Sequence, residues 1–304
     1  MEEQVVLNNI LDNRYIILNE KFNNDSNLYF FVNDSLAEKI YVAKIFNCNK
    51  IPSENEIKIN IIISQKRYPS FIKYITSSNG LLITDNIKEY KKYMISEYCT
   101  DLDLLKYISV NNMPFNERIC KFFFYKILKP FEFLNNCGIC LGNINLENIL
   151  VDKETCNIKI DDLSHSYFFI KKNGEIIKNG AKDDILILAN LLFSLRTGKK
   201  NYYTINKKLN KMIKKNQMEE FWKIIEMNLR IKDLSPEFKS LFNSMVISDP
   251  KIIPTIEDIY NSNFMKDLKN LNDEQLREYE AEAKNEIKKR EKIDLLIYKN
   301  ENTI

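Results

Sequence analysis

The sequence predicts an α+β fold in which a small β-rich part precedes a larger helical one. Two patterns carry this expectation. Over the first hundred residues, short β-type runs alternate with turn residues; after Asp101 the apolar residues recur mostly at helical spacing. The strand runs are Tyr15–Leu18, Leu28–Val32, Ile40–Phe46, Gly80–Asp85 and Tyr93–Tyr98, with one helical stretch, Ser53–Ser64, among them. In the second part, Phe115–Asn135 carries apolar residues at 119, 123, 127, 131 and 134, one face of a helix. Pro130 lies inside it and predicts a kink, since an interior proline costs ~3 kcal/mol. Helices follow at Asp184–Leu195, Met218–Met227, Pro236–Met245 and Thr255–Asn261, with Ser235 and Pro236 as cap and first turn of the third. The tail from Asn272 to Lys292 reads as one more helix. Asn272 and Gln275 suit a capping box, and Leu276, Tyr279, Ala283 and Ile287 form a narrow stripe that predicts packing on the chain's own domain.

Composition excludes several classes of function. The chain has 304 residues, 44% of them hydrophobic, enough for one large two-part domain or two modest ones. A net charge of +3 is not that of a dedicated polyanion binder. The lysines at 207, 208, 211, 214 and 215 form a basic run whose ordinary reading is a solvated face; nucleic-acid association through it is the weaker alternative. The start of the chain shows no signal pattern, and the apolar run Ile185–Phe193 is too short to span a membrane and predicts a buried helix. The six cysteines lack a framework spacing, which points to reduced thiols and a cytoplasmic protein. The single Cys137-x-x-Cys140 pair reads as core packing rather than a zinc site, and the single histidine, His165, leaves no room for a Ser-His-Asp triad.

A set of motifs, in order, then resembles the protein-kinase family from about Tyr15 to Met265. Tyr41-Val42-Ala43-Lys44 is similar to the V-A-I-K strand, whose lysine binds ATP phosphates and pairs with a helix glutamate, here Glu56 with Glu54 as the alternative. Tyr93–Cys99 resembles the strand leading into the hinge. Glu147-Asn148-Ile149-Leu150 keeps the end of the catalytic loop, and Lys159–Ser164 resembles the segment ending in D-F-G. Asp184 through Thr197-Gly198, and Asp249-Pro250 through Pro254-Thr255, match two later helical motifs. The resemblance implies a two-lobed kinase-like domain over 13–268, its lobes meeting at about 98/99, with an N-terminal extension at 1–12 and a helical charged tail at 269–304. It also implies an ATP site. Adenine would lie between Ala43 and Leu150 with its edge on the backbone of Glu97 and Cys99, Ser96 as gatekeeper and Asp103 reaching ribose. Lys44 would meet phosphate, and Asn148 and Asp162 would hold Mg²⁺. Asp184 is expected to open a buried helix and accept backbone N–H bonds from the loop around Leu141–Gly142.

The same resemblance marks what is lost. The glycine positions of the phosphate-covering loop fall on Phe22, Asn24 and Asn27, which weakens any grip on phosphate. The H-R-D positions fall on Leu141, Gly142 and Asn143, so an amide stands where the catalytic carboxylate would be; such a base typically contributes ~10²–10⁴ in rate. Asn145 replaces the catalytic-loop lysine. Between Asp162 and Asp184 no A-P-E motif is found, and the position of the arginine that pairs with its glutamate holds Ile253. The expectation is a pseudokinase that binds protein partners as a scaffold or regulator, with weak ATP and Mg²⁺ binding and no membrane association. The competing reading is a divergent Ser/Thr kinase using Lys44 and Asp162, with Asp161 as the nearest spare carboxylate.

Overall fold

A computed structural model describes residues 9–23, 27–47, 51–84, 87–109, 114–169, 171–172, 175–176, 180–199, 209–229, 234–246 and 252–301. The chain divides into two compact units, Met1–Thr100 and Asp101–Ile304.

The first unit is a closed antiparallel barrel with one helix. Its strands are β1 (Ile10–Leu11), β2 (Tyr15–Asn23), β3 (Asn27–Asp34), β4 (Lys39–Phe46), β5 (Tyr74–Thr84) and β6 (Ile87–Glu97), with α1 (Ile51–Lys66) between β4 and β5. Around the barrel the order is β1-β2-β3-β4-β6-β5. Alternation fills the interior: Phe30 and Val32, Ala43 and Ile45, and Tyr93 and Ile95 are pairs two residues apart that point inward with Leu11, Tyr15 and Leu82. The strands run longer than the apolar runs predict. In β5 the missed half is Tyr74–Asn79, polar from Thr76 on, and in β6 the missed half carries Lys88, Glu89, Lys91 and Lys92. Asp85 lies outside the described residues.

The two-residue strand β1 closes the barrel by pairing with Tyr15 and Ile16 of β2 and with Leu82 and Ile83 of β5. Asp12, just after it, accepts a 2.7 Å hydrogen bond from the Tyr93 hydroxyl. Gly80 makes room for this residue, since a Cβ there would sit 2.6 Å from the Asp12 Cβ. Part of the segment expected to be an N-terminal extension is therefore sheet. Residues 1–8 lie outside the described residues.

The second unit is mainly helical. A three-stranded sheet ordered β10-β9-β7 joins β7 (Leu102–Asp103), β9 (Ile149–Val151) and β10 (Ile158–Ile160). A second small sheet pairs β8 (Ile139–Cys140) with β11 (Tyr167–Phe168), and β12 (Lys171–Lys172) pairs with β13 (Glu175–Ile176). The helices are α2 (Leu104–Ser109), α3 (Glu117–Asn136), α4 (Gly180–Thr197), α5 (Leu209–Lys214), α6 (Met218–Leu229), α7 (Pro236–Val246), α8 (Ile256–Asn261), α9 (Lys266–Lys269) and α10 (Asp273–Glu301).

Asn116 caps α3 by accepting the Ile119 N–H, and α3 runs on as one helix past the buried Pro130. Helix α4 contains the expected apolar run, with Ile185, Leu188, Ala189, Leu191, Leu192 and Phe193 all buried. Phe193, Phe221, Trp222, Phe238 and Phe242 pack ring to ring across α4, α6 and α7. The Phe238 N–H donates to Ser235 Oγ, and Thr255 caps α8 through a reciprocal bond with Asp258, as their sequence positions imply. Lys211, Lys214 and Lys215 are exposed; Lys207, Lys208, Asp249 and Pro250 lie outside the described residues. Among the described residues no helix is long and apolar enough to cross a membrane.

The tail is part of the second unit. Asn272 and Gln275 form the capping box in both directions, at 3.1 and 2.9 Å. Ala283 and Ile287 are fully buried, and one turn further so is Arg290, 2% exposed. Its guanidinium donates to the carbonyls of Tyr107 (2.8 Å) and Pro114 (3.1 Å) and to Glu286 (2.7 Å), and lies 4.3 Å from the centre of the Phe115 ring.

Candidate functional site

In the first unit the site is built on β4. Lys44 donates to both carboxylate oxygens of Glu56 on α1, at 2.7 and 2.9 Å, and both side chains are buried. The partner is thus Glu56; Glu54 is exposed. Within the same helix, Asn60 Nδ2 donates to the Glu56 carbonyl one turn back.

Ala43 is a correction. One residue from Lys44 on a strand, it must point to the opposite face, and it is fully buried inside the barrel against Leu11, Tyr15 and Ile95. Val42, two residues from Lys44, is the one that shares the lysine's face. At the end of β6, Glu97 is clamped to Lys73: its N–H donates to the Lys73 carbonyl at 2.9 Å and its carboxylate accepts the Lys73 N–H at 3.0 Å. Ser96, the expected gatekeeper, pairs with Val42 and Tyr74. Cys99 is half-buried and in no disulfide.

In the second unit, Asp103 and Leu150 are cross-strand partners in the β7–β9 pair. The Asp103 carboxylate accepts the Lys106 N–H at 2.8 Å and so caps α2. The catalytic-loop segment is held from below by Asp184, 1% exposed in the second turn of α4. One carboxylate oxygen accepts the Leu141 N–H and the Cys140 thiol, each at 3.0 Å. Burial pushes the Asp184 carboxyl up to about 6 against the pull of these donors. Burial likewise raises the Cys140 thiol far above its usual range, keeping it a protonated donor. The expected tie between Asp184 and the loop is present, and Cys140 is an unforeseen third member.

Gly142 turns the loop with φ +77°, and a Cβ there would lie 2.2 Å from the His165 carbonyl oxygen. The segment after Asp162 presses on this glycine because β11 pairs with β8, while Ser166 Oγ donates to the Leu141 carbonyl. The backbone has closed over the place where the family carries an arginine.

Asn143 is exposed. Asn145 and Asn148 are used locally: the Asn145 side chain accepts the Glu147 N–H at 2.7 Å, and Asn148 Oδ1 accepts the Asn145 N–H at 3.3 Å, a capping box on the 3-10 turn Leu146–Asn148. The Asn148 carbonyl accepts the Asp161 N–H at 2.8 Å. Asp162 sits at φ +56°, a left-handed conformation uncommon for a residue with a Cβ. Its N–H donates to Asp161 Oδ1 at 2.8 Å and its own Oδ1 accepts the Ser164 N–H at 3.1 Å. Asp161, the spare carboxylate, is thus committed to the turn it precedes.

The amide oxygen of Asn148 and the carboxylate of Asp162 are hard donors that suit Mg²⁺, but they supply one negative charge between them. Among the described residues no group of three or more His, Cys, Asp or Glu side chains could hold a metal. Of the glycine-loop positions, Phe22 is the last residue but one of β2, Asn27 opens β3, and Asn24 lies outside the described residues.

Sequence reasoning missed Tyr29, Phe46 and Arg290. Phe46 could have been found from strand parity, which puts it on the face of Lys44, whereas Tyr29 is placed there only by the register between β3 and β4. Arg290 could have been found by continuing the 283–287 stripe by one more turn, where a cation falls on a buried line.

Comparison with known proteins agrees with this geometry. Over 201 residues the chain is 26% identical to the ovarian-specific serine/threonine-protein kinase Lok of Drosophila melanogaster, covering 58% of this chain and 40% of that one. Over 230 residues it is 21% identical to the serine/threonine-protein kinase PLK4 of Danio rerio, covering 69% of this chain and 22% of that one. The chain therefore spans less than half the length of these relatives. Residues 29–265, well over half of the chain, match the protein kinase domain, and the chain belongs to the protein kinase family.

Proposed function

We propose that this chain is a pseudokinase, a kinase-family protein that acts by binding protein partners as a scaffold or regulator in the cytoplasm. The observation that carries the reading is the chemistry of the catalytic loop. Asn143 offers no carboxylate to accept a hydroxyl proton, and Asn145, which stands for the loop lysine, is bound into a local cap with Asn148. Gly142 and the backbone pressed on it leave no room for a side chain at the arginine position. Nucleotide is held weakly. Asn148 and Asp162 would hold Mg²⁺, whose charge, when bound, neutralises phosphate oxygens.

A divergent Ser/Thr kinase is the second reading. The intact Lys44–Glu56 pair favours it, as do the two relatives, both Ser/Thr kinases by name. Incubation of the purified chain with radiolabelled ATP and generic protein substrates separates the two. The expected result is no incorporation above the blank. Incorporation that disappears in Lys44→Ala and Asp162→Ala variants would establish the second reading instead.

A further inference from the structure

An antiparallel sheet with one face on a core ordinarily turns polar residues outward, and one part of the barrel's outer wall breaks that rule. Leu11, Tyr15, Leu82 and Tyr93 point into the barrel, so by strand parity Ile10, Ile16, Leu81, Ile83 and Tyr90 stand on its outside. Strand pairing brings these five together. Ile16 faces Ile10, Ile10 faces Ile83 and Ile83 faces Lys88, a single row across β2, β1, β5 and β6 that spans ~14 Å. In the adjacent outward row Leu81 faces Tyr90. Tyr90 is 79% exposed with the whole chain present, and so at least as exposed on the first unit by itself. The three isoleucines and Leu81 are half-buried.

The helix of the unit packs elsewhere. Ile57 of α1 meets Phe46, Met94 and Tyr74, and Tyr74 lies at the other end of β5 from Leu81 and Ile83, roughly 23 Å along the strand from Leu81. Charge on the wall has one sign. Among the described residues at outward positions of β5 and β6 the charged ones are Lys88, which ends the isoleucine row, and Lys92, two residues beyond Tyr90. Glu89 has the opposite parity and pairs with Lys91. Because β1 is paired on both sides, the row has no free strand border, and an occupant here reads side chains rather than adding a strand.

We propose that this wall is a docking surface for an acidic, apolar segment of a protein partner. Apolar side chains of the segment cover the isoleucine row and Tyr90, which drives binding, while its carboxylates meet Lys88 and Lys92, which select the sign of the partner. This deepens the proposed function, on whose binding role it rests, by naming the chemistry of the partner.

The test is a selection of random displayed peptides on the immobilised full chain, followed by fluorescence-anisotropy titration of the enriched ones. Enriched peptides are expected to carry Asp or Glu beside apolar residues and to bind more weakly as salt rises. Tyr90→Ser should weaken them about tenfold or more; a side chain so exposed can be removed without unfolding the barrel. Lys88→Glu with Lys92→Glu should abolish binding, and peptides whose acids are exchanged for lysines should bind that variant instead. No enrichment, or enriched peptides that are neutral or basic, overturns the proposal. Acidic peptides indifferent to Tyr90→Ser and to the double charge reversal overturn it as well. Binding seen only after residues 1–8 are removed assigns the wall to the chain's own start, and a dimer in sedimentation velocity that Tyr90→Ser dissolves assigns it to a second copy; either result overturns the partner. Radiolabel incorporation is read separately: its absence with no peptide binding removes the docking surface and leaves the pseudokinase reading standing, whereas its presence removes that reading whatever the wall binds.

Discussion

Replacing Asp184 by asparagine should change the pH dependence of stability in a direction that the burial of this residue fixes. The carboxyl rises from its ordinary 3.8 to about 6 in the folded chain, chiefly through burial. Between about pH 4 and pH 6 the folded state therefore holds a proton here that the unfolded state has released. Stability then falls as pH rises through that window, by ~1.4 kcal/mol per unit and roughly 3 kcal/mol in all. The amide of the variant has no proton to lose. The stability of Asp184→Asn relative to the native chain should thus rise by roughly 3 kcal/mol from about pH 4 to about pH 7. Asp34, held low by Arg14, and Asp258, held low by Thr255, titrate in the opposite sense in both proteins and cancel in the difference. Asp184→Ala behaves otherwise: it strands the Leu141 N–H at every pH and should cost ~1–3 kcal/mol throughout. Urea unfolding followed by tryptophan fluorescence measures both, since Trp222 is buried among the rings of α6 and α7. A flat difference between Asp184→Asn and the native chain across the window would refute the reasoning, because the buried carboxyl would then be ionised from pH 4 upward.

Gly142→Ala should lose about 2–5 kcal/mol, since a left-handed residue with a Cβ costs ~1–2 and the overlap with the His165 carbonyl adds ~1–3; a urea midpoint within experimental error of the native one would contradict the close approach. Arg290→Ala should lose about 3 kcal/mol or more, because the Tyr107 and Pro114 carbonyls and Glu286 lose a buried partner together. Arg290→Lys should recover little of it, as one ammonium cannot replace the guanidinium fork that spans three acceptors, and a lysine variant as stable as the native chain in thermal melts would show that charge alone suffices.

The order of motifs made the family legible, because Lys44, Asn148, Asp162 and Asp184 are each tied to a fixed place in a fold whose core outlives its chemistry. Element ends were read poorly where a long strand runs on through consecutive polar residues, as in Thr76–Asn79 of β5, or through a charge-rich stretch, as in Lys88–Lys92 of β6. The assignment of Ala43 to adenine failed on parity: motif letters were matched without asking which face each residue shares with Lys44. Strand register, which decides that Tyr29 stands opposite Lys44, depends on long-range pairing that no local pattern encodes. Glu56 could be separated from Glu54 only by the distance to Lys44 itself.

The two residues of β1 do more than their length suggests. A chain cut at residue 13 would keep every kinase motif and lose the stave that joins β2 to β5. Tyr15–Ile16 and Leu82–Ile83 would then present bare amides and carbonyls along two strand borders, the kind of template that recruits a strand from another molecule. Such a shortened protein would gain a route to self-association that the closed barrel blocks, and any partner captured by it would be suspect until captured again by a chain that retains Ile10 and Leu11. In the closed barrel that seam leaves no backbone for another strand to read.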